Sequence, residues 1–368
     1  MEVIRSVNVL DWFWVPVLDH LWQSTLFSLL VLTVITLLPH APARIRCALY
    51  LAIPIKFLLP AGMVLDVFHR AGLDLASFFT SMAWSTSNPL VFVDRQSSLF
   101  HLGSSLVTDS SRGWSLVYAV CLAVWAAGTV MIAGSWMTRQ LLLMREISRG
   151  TLLRSGREAC LVSRIRRRLK VSRKIRVVTS PEFIEIGVFG VWRPWILLPA
   201  QIPQHLSDSE METILLHEVI HVARWDNLLS HISMCVCSLF WFHPLVWLAD
   251  RKLVSEREQV CDDRVIELGS PSRTYAASLV KVLNFGLGFR IAGISCAGGP
   301  HLKRRIETIA SGGPLPHLSL MHRVAVAGVL LSLLTVSVAS VRLDRCQMEI
   351  SLKKPAHRVV KPDCGNRI

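Results

Sequence analysis

Five consecutive residues of this chain could carry out hydrolytic chemistry: His217-Glu218-Val219-Ile220-His221. Two histidines four positions apart lie on one face of a helix, so both imidazoles can bind one tetrahedral zinc ion. Glu218 then faces the fourth position, where zinc lowers the pKa of a water molecule and a carboxylate can accept its proton. The pattern therefore predicts a catalytic zinc site with Glu218 as general base. Because so short a pattern also arises by chance, its neighbours must support it.

The flanking sequence supports the zinc site in two ways. The run Ser207-Asp208-Ser209-Glu210 is typical of a capping box and predicts a helix that begins there and carries both histidines. A zinc hydrolase also needs a third protein ligand, and Glu258 can supply it. Asp262, one turn later, could accept a hydrogen bond from a ligand imidazole. Carboxylates four apart usually only face solvent, so these two assignments depend on the histidine pair.

The segment from Gly190 to Pro199 predicts a turn followed by a short apolar strand. A strand beside a zinc site can pair with an extended substrate through backbone hydrogen bonds. We therefore expect an edge strand near Trp195 to Leu198. An ordinary core strand is the alternative, and the sequence does not choose between them.

The composition is that of a membrane protein. Apolar residues make up 52% of the 368 residues, the net charge is +14, and the mean hydropathy is +0.44. Four apolar runs approach the roughly 20 residues that a helix needs to cross a bilayer. These predicted spans are Leu21–Leu38, Cys47–Leu65, Leu116–Trp136 and Val324–Val341. The first is not expected to be a cleaved signal peptide, because little positive charge and no small-residue cleavage site accompany it.

Charge asymmetry predicts the orientation. The segment Thr138–Arg176 carries thirteen Lys and Arg residues against two Glu, whereas Val67–Ser115 balances three Arg with three Asp. Basic segments stay in the cytoplasm, so both termini should lie outside and the zinc site on the cytoplasmic side of the membrane. A nucleic-acid surface is the alternative for the basic run. No aromatic interleaving or zinc-finger spacing accompanies it, so no direct nucleic-acid partner is expected.

A fifth apolar run, Leu228–Ala249, tests this topology. A full crossing would place Glu258 on the opposite side of the membrane from His217, which the zinc site forbids. His243-Pro244 interrupts the run, because proline breaks a helix and disfavours helix at the residue before it. We predict a helical hairpin at 228–250 that is re-entrant, lies at the membrane face or is buried in the fold. His231 and His243 are expected to be structural, although either could reach a substrate oxyanion.

The expected organisation has four parts. Residues 1–137 form a membrane region with three spans and an external loop at 67–115, and residues 138–322 form the cytoplasmic protease domain. Residues 323–341 form the fourth span, and 342–368 an external tail. Only Cys346 and Cys364, in that tail, are placed where a disulfide could form.

Several motifs together resemble the BlaR/MecR-type antirepressor membrane metallopeptidases. The resemblance extends over almost the whole chain to about residue 341. In chain order the motifs are HLWQSTLF, IKFLLP, GVWRPWILLP, HEVIHVARWDNL, WFHPLVW, EREQVCDD and HLKRRI (His301–Ile306).

The resemblance implies a polytopic α-helical membrane protein with an inserted α/β, gluzincin-like zinc metalloprotease domain. It implies zinc bound by His217, His221 and Glu258, with Glu218 as general base. It also implies signalling, in which a stimulus from outside or within the membrane triggers cleavage of a cytoplasmic winged-helix repressor of the BlaI/MecI type. The lipid bilayer is the other expected partner, and the oligomeric state is left open, a homo-oligomer included.

The beta-lactam receptors of this family end in an external penicillin-binding domain, which this sequence is expected to lack. Two other functions remain open at this point. A quality-control zinc protease would share the zinc site but cut many misfolded membrane proteins. A non-catalytic membrane transducer would keep the fold and lose the metal.

Overall fold

The computed structural model describes residues 9–38, 41–59, 111–183, 185–288, 305–309, 324 and 326–329. Nine named helices lie within these ranges: α1 (Val9–Leu37), α2 (Ala43–Leu58), α3 (Ser111–Arg149), α4 (Arg157–Arg168), α5 (Ile202–His205), α6 (Asp208–Ala223), α7 (Asp226–Leu239), α8 (Pro244–Glu267) and α9 (Ser272–Gly288). The strands are β1 (Thr151–Leu153), β2 (Arg176–Ser180), β3 (Gly187–Phe189) and β4 (Trp195–Pro199). Residues 305–309 are also helical. Residues 24–58 and 115–329 belong to one compact unit, which contains the contacts described below.

Two of the described helices are long and apolar enough to cross a membrane. They are the His20–Leu37 part of α1 and the Leu116–Arg149 part of α3. Helix α3 has 39 residues and is therefore about 58 Å long, nearly twice the thickness of a bilayer core. The helix continues well beyond the predicted end of the third span at Trp136. The apolar run determines only which part could cross a membrane, whereas the helix itself extends into the polar sequence that follows. The fourth predicted span and both tail cysteines lie largely or wholly outside the described residues.

The predicted apolar hairpin is present as two helices with a break between them. Helix α7 ends at Leu239 and α8 begins at Pro244, so the interruption falls where proline predicts it. The connecting residues pack against predicted spans. Trp125 in α3 donates its indole N–H to the carbonyl of Leu239 at 2.8 Å, and Trp241 lies so close to Gly128 that a Cβ there would overlap its ring.

The sheet has the order β1-β2-β4-β3 and is mixed. Strand β4 pairs in parallel with β2 and antiparallel with β3, while β1 pairs antiparallel with β2. The turn from β3 to β4 needs Gly190, whose φ of +88° favours glycine, and a Cβ there would lie 2.8 Å from the Arg193 carbonyl oxygen. The predicted turn and strand are thus confirmed. The expectation that Trp195–Leu198 is an edge strand is wrong, because β4 is paired on both sides.

Helix α6 is the central element of the region around the sheet. The Ser207 side chain accepts a hydrogen bond from the backbone N–H of Glu210, and the Glu210 carboxylate accepts one from the backbone N–H of Ser207, so the predicted capping box is confirmed. Most side chains of the helix are buried in one apolar core shared with β2, β4, α4, α8 and α9. Packing of most of its side chains fixes the rotation of α6 and therefore the direction of its two histidines.

Candidate metal centre

Helix α6 presents His217 and His221 to one point. Their Nε2 atoms lie 3.0 Å apart, and the His217 side chain is almost fully buried. Bare imidazole nitrogens this close repel each other unless a proton or a metal ion lies between them. The i, i+4 spacing thus brings two nitrogen donors together as the sequence predicts.

Glu258 reaches the same point from α8. Its two carboxylate oxygens lie 3.4 Å from His217 Nε2 and 3.5 Å from His221 Nε2. In a tetrahedral zinc site with bonds of about 2.0–2.1 Å, ligand atoms are about 3.3 Å apart. The three side chains therefore fit one zinc ion, and their ligand atoms form a group that could hold a metal.

Glu218 lies next to this group on α6 and is buried. Among the described residues, no side chain forms an ion pair or a hydrogen bond with it. A carboxylate with no fixed partner remains available to accept a proton, as a general base requires.

Asp226 orients His221, which the sequence reasoning did not recognise. The Nδ1 atom of His221 donates to Asp226 Oδ2 at 2.7 Å, which leaves Nε2 free to bind a metal. Asp226 follows Trp225, whose left-handed conformation at φ 60° reverses the chain between α6 and α7. The Arg173 guanidinium covers the Trp225 ring at 3.5 Å and stabilises this turn. The sequence signal for this role is the position of the Asp226 carboxylate, five residues after His221.

Asp262 orients His217, but largely through a tyrosine. The Tyr275 hydroxyl lies 2.8 Å from His217 Nδ1 and donates to Asp262 Oδ1 at 2.6 Å, whereas Asp262 itself is 3.3 Å from His217. Arg305 pairs with the same carboxylate and also with Glu258, at 2.8 Å in each case. The sequence predicts the role of Asp262. It does not predict the roles of Tyr275 or Arg305, although Arg305 lies in the HLKRRI motif.

These contacts set the charges of the site. Burial lowers the pKa of His217, but the adjacent Asp262 and Glu258 carboxylates outweigh this effect and raise it to about 10. Burial opposes the charge of Glu258 and Asp262, yet His217 and Arg305 keep the pKa of both carboxyls below the ordinary value. The metal-free site is therefore ionised, with a proton on His217 where a metal would bind.

A second group of donors lies on the other side of His221. Asp226, Cys261 and His221 Nδ1 are close enough to hold an ion. Burial raises the pKa of the Cys261 thiol well above its ordinary value, which disfavours the thiolate form that binds metals. Asp226 is already hydrogen-bonded by His221 and paired with Arg224. The second group thus acts better as support for His221 than as a metal site.

The sheet edge beside the site is β3. Val188 and Gly190 line a small cavity together with His221 and Asn227. The Asn227 side chain donates to the carbonyls of Val188 and Gly190, which ties this edge to the start of α7. The outer strand of the sheet beside the site is therefore β3 and not β4, and its Val188 carbonyl is bonded to Asn227.

The two further histidines have structural contacts. His231 Nδ1 donates to the Asn227 carbonyl at 2.6 Å, and its ring packs edge-on against Trp136. His243 Nε2 lies 2.9 Å from the Thr25 hydroxyl of α1, and its ring packs against Phe57. Both contacts agree with the structural role expected from the sequence.

Comparison with known proteins identifies the family. Residues 17–309 match the family model described as BlaR1 peptidase M56. The chain belongs to the BlaR1 peptidase M56 family. Membership implies a metallopeptidase domain in a membrane protein, and it confirms the BlaR/MecR-type resemblance drawn from the motifs.

Two relatives in the family show how far the similarity extends. The regulatory protein BlaR1 of Bacillus licheniformis is 24% identical over 212 residues, which cover 56% of this chain and 35% of that protein. The methicillin resistance mecR1 protein of Staphylococcus aureus is 26% identical over 176 residues, or 45% of this chain and 30% of that protein. The matched region is thus about a third of the length of each relative.

We predict that zinc affinity rises with pH. The proton that His217 holds below a pKa of about 10 must leave when zinc binds, whereas Glu258 and Asp262 stay ionised. Each proton released changes the affinity about tenfold per pH unit. Equilibrium dialysis of the purified protein between pH 6 and 8 should therefore give weaker binding at lower pH. An affinity that is flat over this range would contradict the assigned protonation.

We predict that Asp226→Asn weakens zinc binding about ten- to a hundredfold, as is typical when the partner of a ligand histidine is lost. The amide can offer its N–H₂ to Nδ1 and so favour the wrong tautomer of His221. Asp263→Asn is the matched control, because Asp263 is also an aspartate near the site but accepts its hydrogen bond from Gln259. Equal zinc affinities for the two variants would remove Asp226 from the site.

Proposed function

We propose that this protein is a membrane-bound zinc endopeptidase that acts in signal transduction by cleaving a cytoplasmic repressor of the BlaI/MecI type. The convergence of His217, His221 and Glu258 within 3.5 Å of one another carries this proposal. The regulatory role of the relative BlaR1 supports the signalling part.

His217, His221 and Glu258 would hold the zinc ion, and Glu218 would act on the substrate. When bound, zinc would act as a Lewis acid and lower the pKa of water towards 7. Glu218 accepts the proton of the water molecule that attacks the peptide carbonyl and passes it to the departing amine. Asp226 and Asp262 keep the two imidazoles in the orientation that this reaction needs.

The contacts of α2 supply a route from the membrane to the site. Helix α2, which contains the Cys47–Leu58 part of the predicted second span, packs along α8. Arg46 pairs with Glu256 at 2.8 Å, two residues before the ligand Glu258, and Arg44 pairs with Glu267 near the end of the same helix. A movement of α2 would therefore move the helix that supplies the third ligand. A signal that favours one position of α2 would shift the population of the active site.

The tip of the α7–α8 hairpin would lie at membrane depth. It contacts Trp125 in the predicted third span and Thr25 in the predicted first span. These contacts favour a re-entrant hairpin over one that lies on the membrane face. The peptidase domain would thereby be held against the bilayer, with the zinc site on the cytoplasmic side.

We predict that Glu218→Gln keeps zinc bound but abolishes repressor cleavage, because the amide preserves the shape of the side chain and cannot accept a proton. The level and size of the candidate repressor are measured in cells that carry either form, with and without the inducing stress. Intact repressor should disappear only in wild-type cells under stress. Loss in both strains alike, or in neither, would remove this function and leave quality control of membrane proteins as the better account.

We predict that cysteine-accessibility labelling or reporter fusions place Arg145, Asp226 and Lys303 in the cytoplasm, and Ser97 and Lys361 outside, with a reporter fusion used for the buried Asp226. Arg145 lies on the part of α3 that continues beyond the predicted span. An external Lys303 would mean that the hairpin crosses the membrane, which is incompatible with a shared site for Glu258 and His217.

A further inference from the structure

Two ligands of the proposed metal site come from different helices, yet one chain of hydrogen bonds joins them. It runs from His217 on α6 through Tyr275 on α9, Asp262 on α8 and Arg305 to Glu258 on α8. Tyr275 and Asp262 are almost completely buried. A water molecule is therefore poorly able to replace either side chain.

The direction of the protons along this chain follows from the donors and acceptors. The ionised Asp262 can only accept, so the single hydroxyl proton of Tyr275 goes to it at 2.6 Å. The tyrosine oxygen must then accept from His217 Nδ1–H at 2.8 Å. This fixes the His217 tautomer that keeps a proton on Nδ1 and points Nε2 at His221 and Glu258.

Arg305 completes the chain with contacts that only a guanidinium can make together. Its Nε and Nη2 atoms donate to the two oxygens of Asp262, and its Nη1 lies 2.8 Å from Glu258 Oε2. The fork holds the Asp262 carboxylate in plane, and the third contact sets the direction of Glu258. A lysine could keep one of these contacts but not all three.

We propose that Tyr275 and Arg305 are positioning residues that act through Asp262 to hold His217 and Glu258 in one metal-binding arrangement. The proposal rests on the metal site described above. It extends that site to two residues that touch neither the metal nor the substrate. Because the chain of hydrogen bonds is continuous from His217 to Glu258, substitutions at Tyr275 and Arg305 have coupled effects.

The test measures zinc affinity and the Co²⁺ absorption spectrum of the full-length detergent-solubilised protein. Tyr275→Phe removes one oxygen from a buried ring, and Arg305→Lys removes the fork but keeps the charge. Each should weaken zinc binding about ten- to a hundredfold and alter the Co²⁺ spectrum. Arg305→Gln also removes the charge and should therefore bind zinc more weakly than Arg305→Lys. The double variant Tyr275→Phe with Arg305→Lys should lose less than the product of the two single effects, because both act through Asp262.

Arg264→Lys is the matched control, since Arg264 is on α8 near Asp262 but pairs with the exposed Glu267. It should bind zinc like the wild type. Wild-type affinity and spectrum in both Tyr275→Phe and Arg305→Lys would overturn the proposal, as would fully multiplicative effects in the double variant. If Arg305→Lys does not fold, Tyr275→Phe decides alone. Wild-type protein that binds zinc but leaves the repressor intact would refute the proposed substrate and not the positioning chain, whereas wild-type protein without zinc would refute both.

Discussion

The approach of two imidazole nitrogens is the constraint on which the site depends. His217 and His221 direct Nε2 atoms towards each other at 3.0 Å within a largely buried region. Two protonated nitrogens would repel at this distance, as would two lone pairs, so the pair needs one shared positive centre. Helix α6 is capped at its start and buried over most of its length, which prevents the rings from moving apart. Asp226 and Tyr275 occupy the Nδ1 positions and prevent them from turning.

The surrounding charges follow from that constraint. A positive centre in a buried site is unfavourable unless negative groups compensate for it. Glu258 lies within 3.5 Å of both rings, and Asp226 and Asp262 contact them from behind. Arg305 and Arg224 then neutralise the excess of carboxylates. In the metal-free protein a proton on His217 serves as the positive centre, and zinc would replace it.

The contacts of this site with the predicted membrane spans are the structural basis of the proposed regulation. Helix α8 carries Glu258 and Asp262 on one part of its length and contacts α2 along much of the rest. The hairpin before it is fixed to α1 and α3 at its tip. The third ligand is therefore mechanically connected to segments predicted to cross the bilayer, whereas His217 and His221 belong to the rigid core. Under the proposed regulation, a signal that moves α2 would act on Glu258 through α8, while His217 and His221 stay on the other helix, α6.

Local patterns predicted the elements of this site well, and contacts between distant elements were predicted poorly. The capping box at Ser207, the helix through His217 and the break before Pro244 depend on neighbouring residues, and the structure has all three. The sequence predicts strand β4. Whether β4 lies at an edge of the sheet depends on its pairing with β3, which the residues Trp195–Leu198 alone do not predict. Tyr275 and Arg305 reach the site from 58 and 43 positions away from their partners. No spacing rule links such residues, so only the folded chain reveals them.

X-ray absorption spectroscopy at the zinc edge of the purified full-length protein tests the central claim most directly. The arrangement of His217, His221 and Glu258 predicts one zinc ion with only nitrogen and oxygen neighbours at about 2.0–2.1 Å. Glu258→Ala should lose the ion or change this spectrum. A sulfur neighbour at about 2.3 Å would contradict the account, because it would place the metal on Cys261 and the opposite side of His221.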